Sequence, residues 1–118
     1  MIKGIGVDIV DLARFERQIQ RTPGLVPRLF TEGERALPAH SLAARFAAKE
    51  ALIKALGDSA GATWHELEVV TEASGNPGFV LSGKALDALA VRGISHVHLT
   101  MTHDAGIACA FVVVEGDA

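Results

Sequence analysis

Two carboxylates and a lysine are the groups in this chain best suited to chemistry. Asp8 sits in the apolar run GIGVDIV, and Glu50 and Lys54 stand one turn apart in FAAKEALIKA. A carboxylate buried in an apolar strand is costly unless something pairs it. Gly4 and Gly6 share a strand face with Asp8 and would let a bulky anion or a hydrated metal come close. On a helical wheel Leu42, Phe46 and Ile53 form one stripe. Glu50 and Lys54 fall at one edge of it, and Arg45, Lys49 and Leu56 at the other. Glu50 is therefore expected beside the sheet, where Asp8 can meet it. Two carboxylates at one point repel, and a hard cation relieves them. Magnesium takes oxygen ligands and uses one or two carboxylates together with phosphate oxygens and water. Lys54 would then hold a phosphate. The competing reading makes Asp8 a solvated or ion-paired strand end, and Glu50–Lys54 an i,i+4 surface pair worth ~0.3–0.5 kcal/mol.

His103 and Asp104 follow the alternating run HVHLTMT, where a strand ends and a turn begins. That is a usual place for functional groups, and equally for a polar strand terminus. His65, His96 and His98 stand out less; His96 and His98 share the polar face of their strand and read as solvated. No histidine pair has the i,i+4 spacing of a helical zinc site, and the single cysteine, Cys109, lies in the apolar run IACAFVVV, where it reads as a small buried residue. Arg14, Arg17 and Arg21 recur at i, i+3, i+7 on one helical face, with Arg28 beyond. Such a stripe is either solvated or a dock for an acidic partner.

These residues need elements to position them. IKGIGVDIV alternates as a strand with Ile5, Val7 and Ile9 on one face. DLARFERQIQR follows as a helix capped by Asp11 and ended at Pro23-Gly24, with Pro27 opposing an immediate restart. Thr31 and Glu34 have the spacing of a capping box. SLAARFAAKEALIKALG is the strongest helix signal, capped by Ser41 and stopped by Gly57. HELEVVTE and GFVLS read as strands about the turn SGNP, and GKALDALAVRG as a helix. Trp64 and Phe79 read as core. SHVHLTMTH and IACAFVVVE close the chain as a hairpin, and the second of these is apolar on both faces, so both faces need cover. The order of elements favours an α+β fold over a regular parallel one.

The chain has 118 residues, which predicts a single domain over 1–118. Its net charge of −3 gives no reason to expect nucleic-acid binding, although residues 1–28 are net +2 and the remainder net −5, so a local basic patch is expected. No apolar stretch reaches the ~20 residues of a membrane span. No signal peptide is expected, because Asp8 and Asp11 interrupt the N-terminal apolar run. The expected setting is cytoplasmic and reducing.

Taken together, GIGVDIVDLARF, FTEGE, RFAAKEALIKALG, ELEVVTEASGNPGFVLSG and HVHLTMTHDAGIACAFVVVE resemble the holo-acyl-carrier-protein synthase family, in order and spacing and over nearly the whole chain. The resemblance implies a mostly antiparallel sheet packed with a long central helix. It also implies a magnesium-dependent enzyme that moves 4′-phosphopantetheine from coenzyme A to a serine of an apo acyl carrier protein, releasing adenosine 3′,5′-bisphosphate. Asp8 and Glu50 match metal ligands. Lys54 matches a lysine on the pyrophosphate, Arg45 a basic residue near the 3′-phosphate, and His103 a histidine near the coenzyme phosphates. Gly75–Pro77 resembles the segment beside the adenine. Arg14, Arg17, Arg21 and Arg28 match the carrier-docking region. Glu50, His103 and Asp104 remain open as the general base. Asn76 stands where the family commonly has lysine, and the segment between Glu34 and Arg45 is short. The family's small members are homotrimers with sites between subunits. Two other classes compete: a non-catalytic coenzyme A or nucleotide-binding module, which would not need both carboxylates, and a ligand-free structural trimer.

Overall fold

Alternation sets the frame. Ile2–Asp11 forms strand β1, and Asp11 then caps helix α1 (Leu12–Arg21) by accepting a 2.9 Å hydrogen bond from the Arg14 N–H. Short helices α2 (Leu25–Leu29) and α3 (Glu32–Arg35) lead to the long α4 (Ala39–Leu56). Strands β2 (Leu67–Thr71) and β3 (Pro77–Leu81), helix α5 (Gly83–Val91) and strands β4 (Ile94–Asp104) and β5 (Ile107–Gly116) complete the order. This computed structural model describes residues 1–117; the last residue of the expected 1–118 domain lies outside the described residues.

The expected α+β class is what is seen, with the strands divided between two antiparallel sheets rather than one. One has the order β1-β5-β4 and the other is the hairpin β2-β3. In the larger sheet Val7 pairs with Phe111, Asp8 with Ala110, and Ala110 with Met101. The β4–β5 turn is two residues, Ala105 and Gly106, both at positive φ (51° and 77°), the backbone that matches strand twist in a tight hairpin.

Helix α4 packs on this sheet, and the glycines of β1 make the approach possible. A Cβ at Gly4 would collide with the Ala55 carbonyl, and one at Gly6 with the Ala51 carbonyl. The space that the sequence reading left for an anion or metal is therefore filled by α4 backbone. Leu42, Ala43, Ala44, Ala47, Ala48 and Leu52 are buried, and they lie on several faces of the helix. The expected narrow stripe of Leu42, Phe46 and Ile53 is thus too small, and Phe46 and Ile53 are only partly buried. A helix enclosed between a sheet and other elements is apolar nearly all round.

Two helix starts differ from expectation. Pro27 lies within α2, in its first turn, where the missing N–H is not needed. α4 begins before Ser41, because the Pro38 carbonyl already accepts from the Ser41 and Leu42 N–H groups (3.0 Å each). Gly57 ends α4 at φ 92° as expected. Arg92 then ties three elements together: it donates to Ala55 O (3.1 Å), Leu56 O (2.7 Å) and Lys3 O (2.9 Å), satisfying carbonyls at the helix end.

The two faces of the large sheet differ. Ala108, Ala110, Val112 and Val114 of β5 are buried under α4, whereas Ile5, Val7 and Ile9 of β1 are each more than half exposed, with Phe111 and Ile107 exposed beside them. Cys109 lies on this outer face and is only partly buried, not enclosed as its run suggested, because β5 has α4 on one side alone.

Candidate functional site

β1 and α4 bring Asp8, Glu50 and Lys54 together. Lys54 Nζ donates to Asp8 Oδ1 at 3.0 Å and to the Val7 carbonyl at 3.1 Å. The Glu50 carboxyl is pushed above its usual range, first by burial, then by the Asp8 charge, with Lys54 opposing. Asp8 and Glu50 line one cavity with Arg14, Phe15, Gln18 and Phe46. The donor set suits a hard divalent cation: oxygen ligands only, two carboxylates close enough that the Asp8 charge opposes that of Glu50, and an open side. Among the described residues there is no group of three or more His, Cys, Asp or Glu side chains arranged to hold a metal, so further ligands would have to come from substrate or water.

Arg14 lies at the rim of this cavity, not apart from it as a pure docking residue would. Arg17 and Arg21 are exposed farther along α1, and Arg28 borders an adjoining groove with Trp64 and Leu25. Trp64 is partly buried against Phe46, ring centroids 5.5 Å apart.

A second cluster forms elsewhere. Arg45 and His103 line a cavity of about 190 Å³ between α4 and the end of β4. Arg45 is 9% exposed, and its Nε is buried with no hydrogen-bond partner. Another guanidinium nitrogen reaches Thr71 Oγ1 of β2 at 3.5 Å. Burial lowers the Arg45 pKa, against the pull of Glu34. Gly75 and Asn76 lie in the β2–β3 connection, residues 72–76, with Gly75 at φ 90°, and Pro77 opens β3. Asp104 is engaged locally, accepting from the Ala105 N–H at 2.9 Å.

The two clusters do not meet within one chain. β1 and β4 are opposite edges of the sheet. Arg45 and Glu50, five residues apart, differ by about 140° around α4 and about 7.5 Å along it.

Two groups escaped the sequence reading. Lys49, placed there merely at a stripe edge, is fully buried and donates to Glu34 Oε1 (2.7 Å), Leu29 O (2.8 Å) and Trp64 O (3.2 Å), with its Nζ 5.1 Å from the Phe30 ring centroid. Burial pushes the Lys49 pKa down and Glu34 raises it. Glu34 also accepts from the Thr31 and Val69 N–H groups (2.9 and 3.0 Å). The capping-box spacing located Glu34 but carried no sign of its long-range partner. The other missed group is His40, whose ring centroid is 5.2 Å from that of His103.

The fold that carries these residues is that of a known class of enzymes. The family model for the 4′-phosphopantetheinyl transferase superfamily matches residues 4–112, and the chain belongs to that superfamily. A holo-acyl-carrier-protein synthase from Leifsonia xyli subsp. xyli is 64% identical over 118 residues, covering all of both chains. Of solved structures, the holo-acyl-carrier-protein synthase from Neisseria meningitidis has a TM-score of 0.89 at 35% identity, covering 98% of this chain and 99% of that one. The Helicobacter pylori enzyme of the same name, in complex with coenzyme A, has a TM-score of 0.83 at 31% identity, covering 94% and 99%. Within the superfamily the chain is an enzyme of the holo-acyl-carrier-protein synthase type.

Proposed function

We propose that this protein transfers 4′-phosphopantetheine from coenzyme A to a serine of an apo acyl carrier protein, with magnesium, and releases adenosine 3′,5′-bisphosphate. The observation that carries this reading is the meeting of Asp8 and Glu50 at one cavity, with Lys54 bonded to Asp8, in a chain with whole-length relatives named for that activity.

Asp8 and Glu50 would hold the magnesium ion, whose charge would be opposed to that of the coenzyme pyrophosphate. Lys54 now spans to Asp8 and Val7; its exposed ammonium can turn to a pyrophosphate oxygen. Arg45 and His103 bind the outer phosphate groups, and Gly75–Pro77 borders the adenine. The serine oxygen bonds to the phosphorus bearing the pantetheine arm, and the bond from that phosphorus to the bridging oxygen of the bisphosphate breaks. The serine proton passes to a base. Glu50 is the candidate that lies beside the proposed magnesium position; His103 belongs to the other cluster, and Asp104 accepts from the Ala105 N–H. Positioning and charge neutralisation supply most of the rate in such transfers.

The reading includes a single domain over 1–118 and a homotrimer with sites between copies. Two observations support assembly: the outer sheet face exposes Ile5, Val7, Ile9 and Phe111, and the two clusters lie on opposite sheet edges, so a neighbouring copy is needed to complete a site. Arg17, Arg21 and Arg28 suit an acidic carrier. A cytoplasmic setting agrees with the unpaired Cys109, and no helix of the described residues is long and apolar enough to cross a membrane.

The test is direct. The protein, coenzyme A, magnesium chloride and an apo carrier protein are incubated together. Mass spectrometry should show the carrier gaining one phosphopantetheine, and chromatography should show adenosine 3′,5′-bisphosphate in equal amount. An unmodified carrier would refute the reading.

A further inference from the structure

Lys49 and Glu34 are almost fully enclosed, and they stand outside the cluster of Asp8, Glu50 and Lys54. All three ammonium donors of Lys49 are used, on Glu34 Oε1, Leu29 O and Trp64 O. Both Glu34 oxygens are used as well, on Lys49, on the Thr31 N–H and on the Val69 N–H. One ion pair thus joins α4 to the end of α2, to α3, to the Trp64 turn and to β2. Replacing a buried pair by apolar residues of similar volume is often neutral or stabilising, so net stability does not account for this one. A pair so fully bonded fixes a single arrangement, because each donor must meet its acceptor.

The arrangement it fixes is the wall of a groove. Leu29 and Trp64, whose carbonyls Lys49 holds, line the groove that Arg28 borders. Phe15, Gln18 and Phe46 line both this groove and the cavity of Asp8 and Glu50, so the two are continuous. The Trp64 ring rests on Phe46, centroids 5.5 Å apart. His65 donates through Nε2 to the Pro27 carbonyl at 2.6 Å, which ties the Trp64 turn to α2 but neither of them to α4. Among the described residues, the hydrogen bonds that join α2 and the Trp64 turn to α4 are those of Lys49.

We propose that Lys49 and Glu34 are positioning residues for the carrier protein: their ion pair holds the end of α2 and the Trp64 turn against α4, and so sets the width of the groove that leads to Glu50. This rests on the reading that an acidic carrier is the acceptor. The groove is apolar within and has Arg28 at its border, and Arg17 and Arg21 are exposed on α1. That pattern suits an apolar side chain flanked by acidic ones, close to the serine that must reach the Asp8–Glu50 cavity. Arg45 and His103, assigned to the coenzyme, line a different cavity, so the pair acts on the carrier and not on coenzyme A.

The test uses Glu34→Leu with Lys49→Met. The double change keeps the bulk of both side chains and removes opposite charges together, so the net charge facing Arg45 stays the same. Trp64 is the only tryptophan, and its fluorescence reports on the wall directly. Acrylamide quenching of Trp64 should rise roughly twofold in the folded double variant as the wall loosens. In the transfer assay the KM for the carrier should rise about tenfold, within the ~100-fold that a displacement of about 1 Å can cost. The kcat and the KM for coenzyme A should stay within about twofold of wild type. A pair that served stability alone would shift the unfolding midpoint and leave both readouts at wild type. Wild-type quenching, an unchanged carrier KM, or an equal loss on carrier and coenzyme in a folded double variant overturns the proposal. If circular dichroism shows that the double variant does not fold, the decision passes to Glu34→Gln. That change keeps an acceptor for Lys49 and sets an amide donor against the Val69 N–H, and it should move both readouts in the same direction by less. Should the wild type modify no carrier, the transferase reading fails, and Trp64 quenching alone decides whether the pair holds the wall.

Discussion

Gly6→Ala should separate stability and activity in a way that tests how α4 is seated. An added Cβ at residue 6 would run into the Ala51 carbonyl and crowd the Ala55 N–H. Both are helix backbone, so no side chain can turn aside; α4 must retreat from β1 by about 1 Å to restore ordinary contact. Overpacking of this kind costs about 1–3 kcal/mol, and the rigid neighbour places Gly6 toward the upper end. For a chain of this length that corresponds to a fall in Tm on the order of 10 °C. Glu50 immediately precedes Ala51, so the same retreat moves it away from Asp8. Transfer at limiting magnesium should therefore drop by at least tenfold at temperatures where the variant is fully folded, with partial recovery at high magnesium. Gly24→Ala is the control, since nothing lies within 4 Å of a Cβ there and its φ of −80° suits any residue. The assays are thermal unfolding by circular dichroism and carrier modification across a magnesium series. A Gly6→Ala protein with wild-type Tm and wild-type magnesium dependence would refute the claim that these glycines exist to seat the helix.

Glu34→Ala should cost about 3–5 kcal/mol in urea unfolding, because it leaves the Lys49 ammonium buried and unpaired; Glu34→Leu with Lys49→Met together should cost clearly less than the two single changes summed. Asp8→Ala and Glu50→Ala should abolish transfer while the far-ultraviolet spectrum stays wild type. The metal-free wild type should lose stability as pH rises from the ordinary glutamate range through the raised folded value of Glu50, since folding there favours the protonated acid. Glu50→Gln should flatten that slope, and an unchanged slope would show that the carboxylates are not crowded. Arg17→Glu with Arg21→Glu should slow carrier modification several-fold at low salt and spare coenzyme A affinity, with the gap from wild type closing as salt is raised; parallel salt curves would remove the docking face. Phe111→Lys, on the exposed sheet face, should give a folded monomer without transfer activity by analytical ultracentrifugation and mass spectrometry, and an active monomer would exclude sites shared between copies.

Much of this was legible from residue types and periodicity. Asp11 as a cap, Gly57 as a stop, the Ala105-Gly106 hairpin and the strand alternation are local choices, dictated by φ preference and by side chains bonding to nearby backbone. Glu50 and Lys54 at one edge of a helix follow from its pitch, and the meeting with Asp8 followed once β1 was known to lie under that edge. The burial of Lys49 was not legible. Its wheel position looked peripheral, and only α3, the Trp64 turn and β2 closing over it show that the ion pair with Glu34 is enclosed. The role of Gly4 and Gly6 was misjudged for the same reason: a missing Cβ announces a close approach, and the sequence does not say by what. Likewise, the apolar character of β5 on both faces was plain, while the tertiary fold alone decided that α4 covers one face and leaves Phe111 on the other open. Spacing along the chain sets what neighbours in sequence can do together; contacts between residues dozens of positions apart depend on packing that every element must satisfy at once.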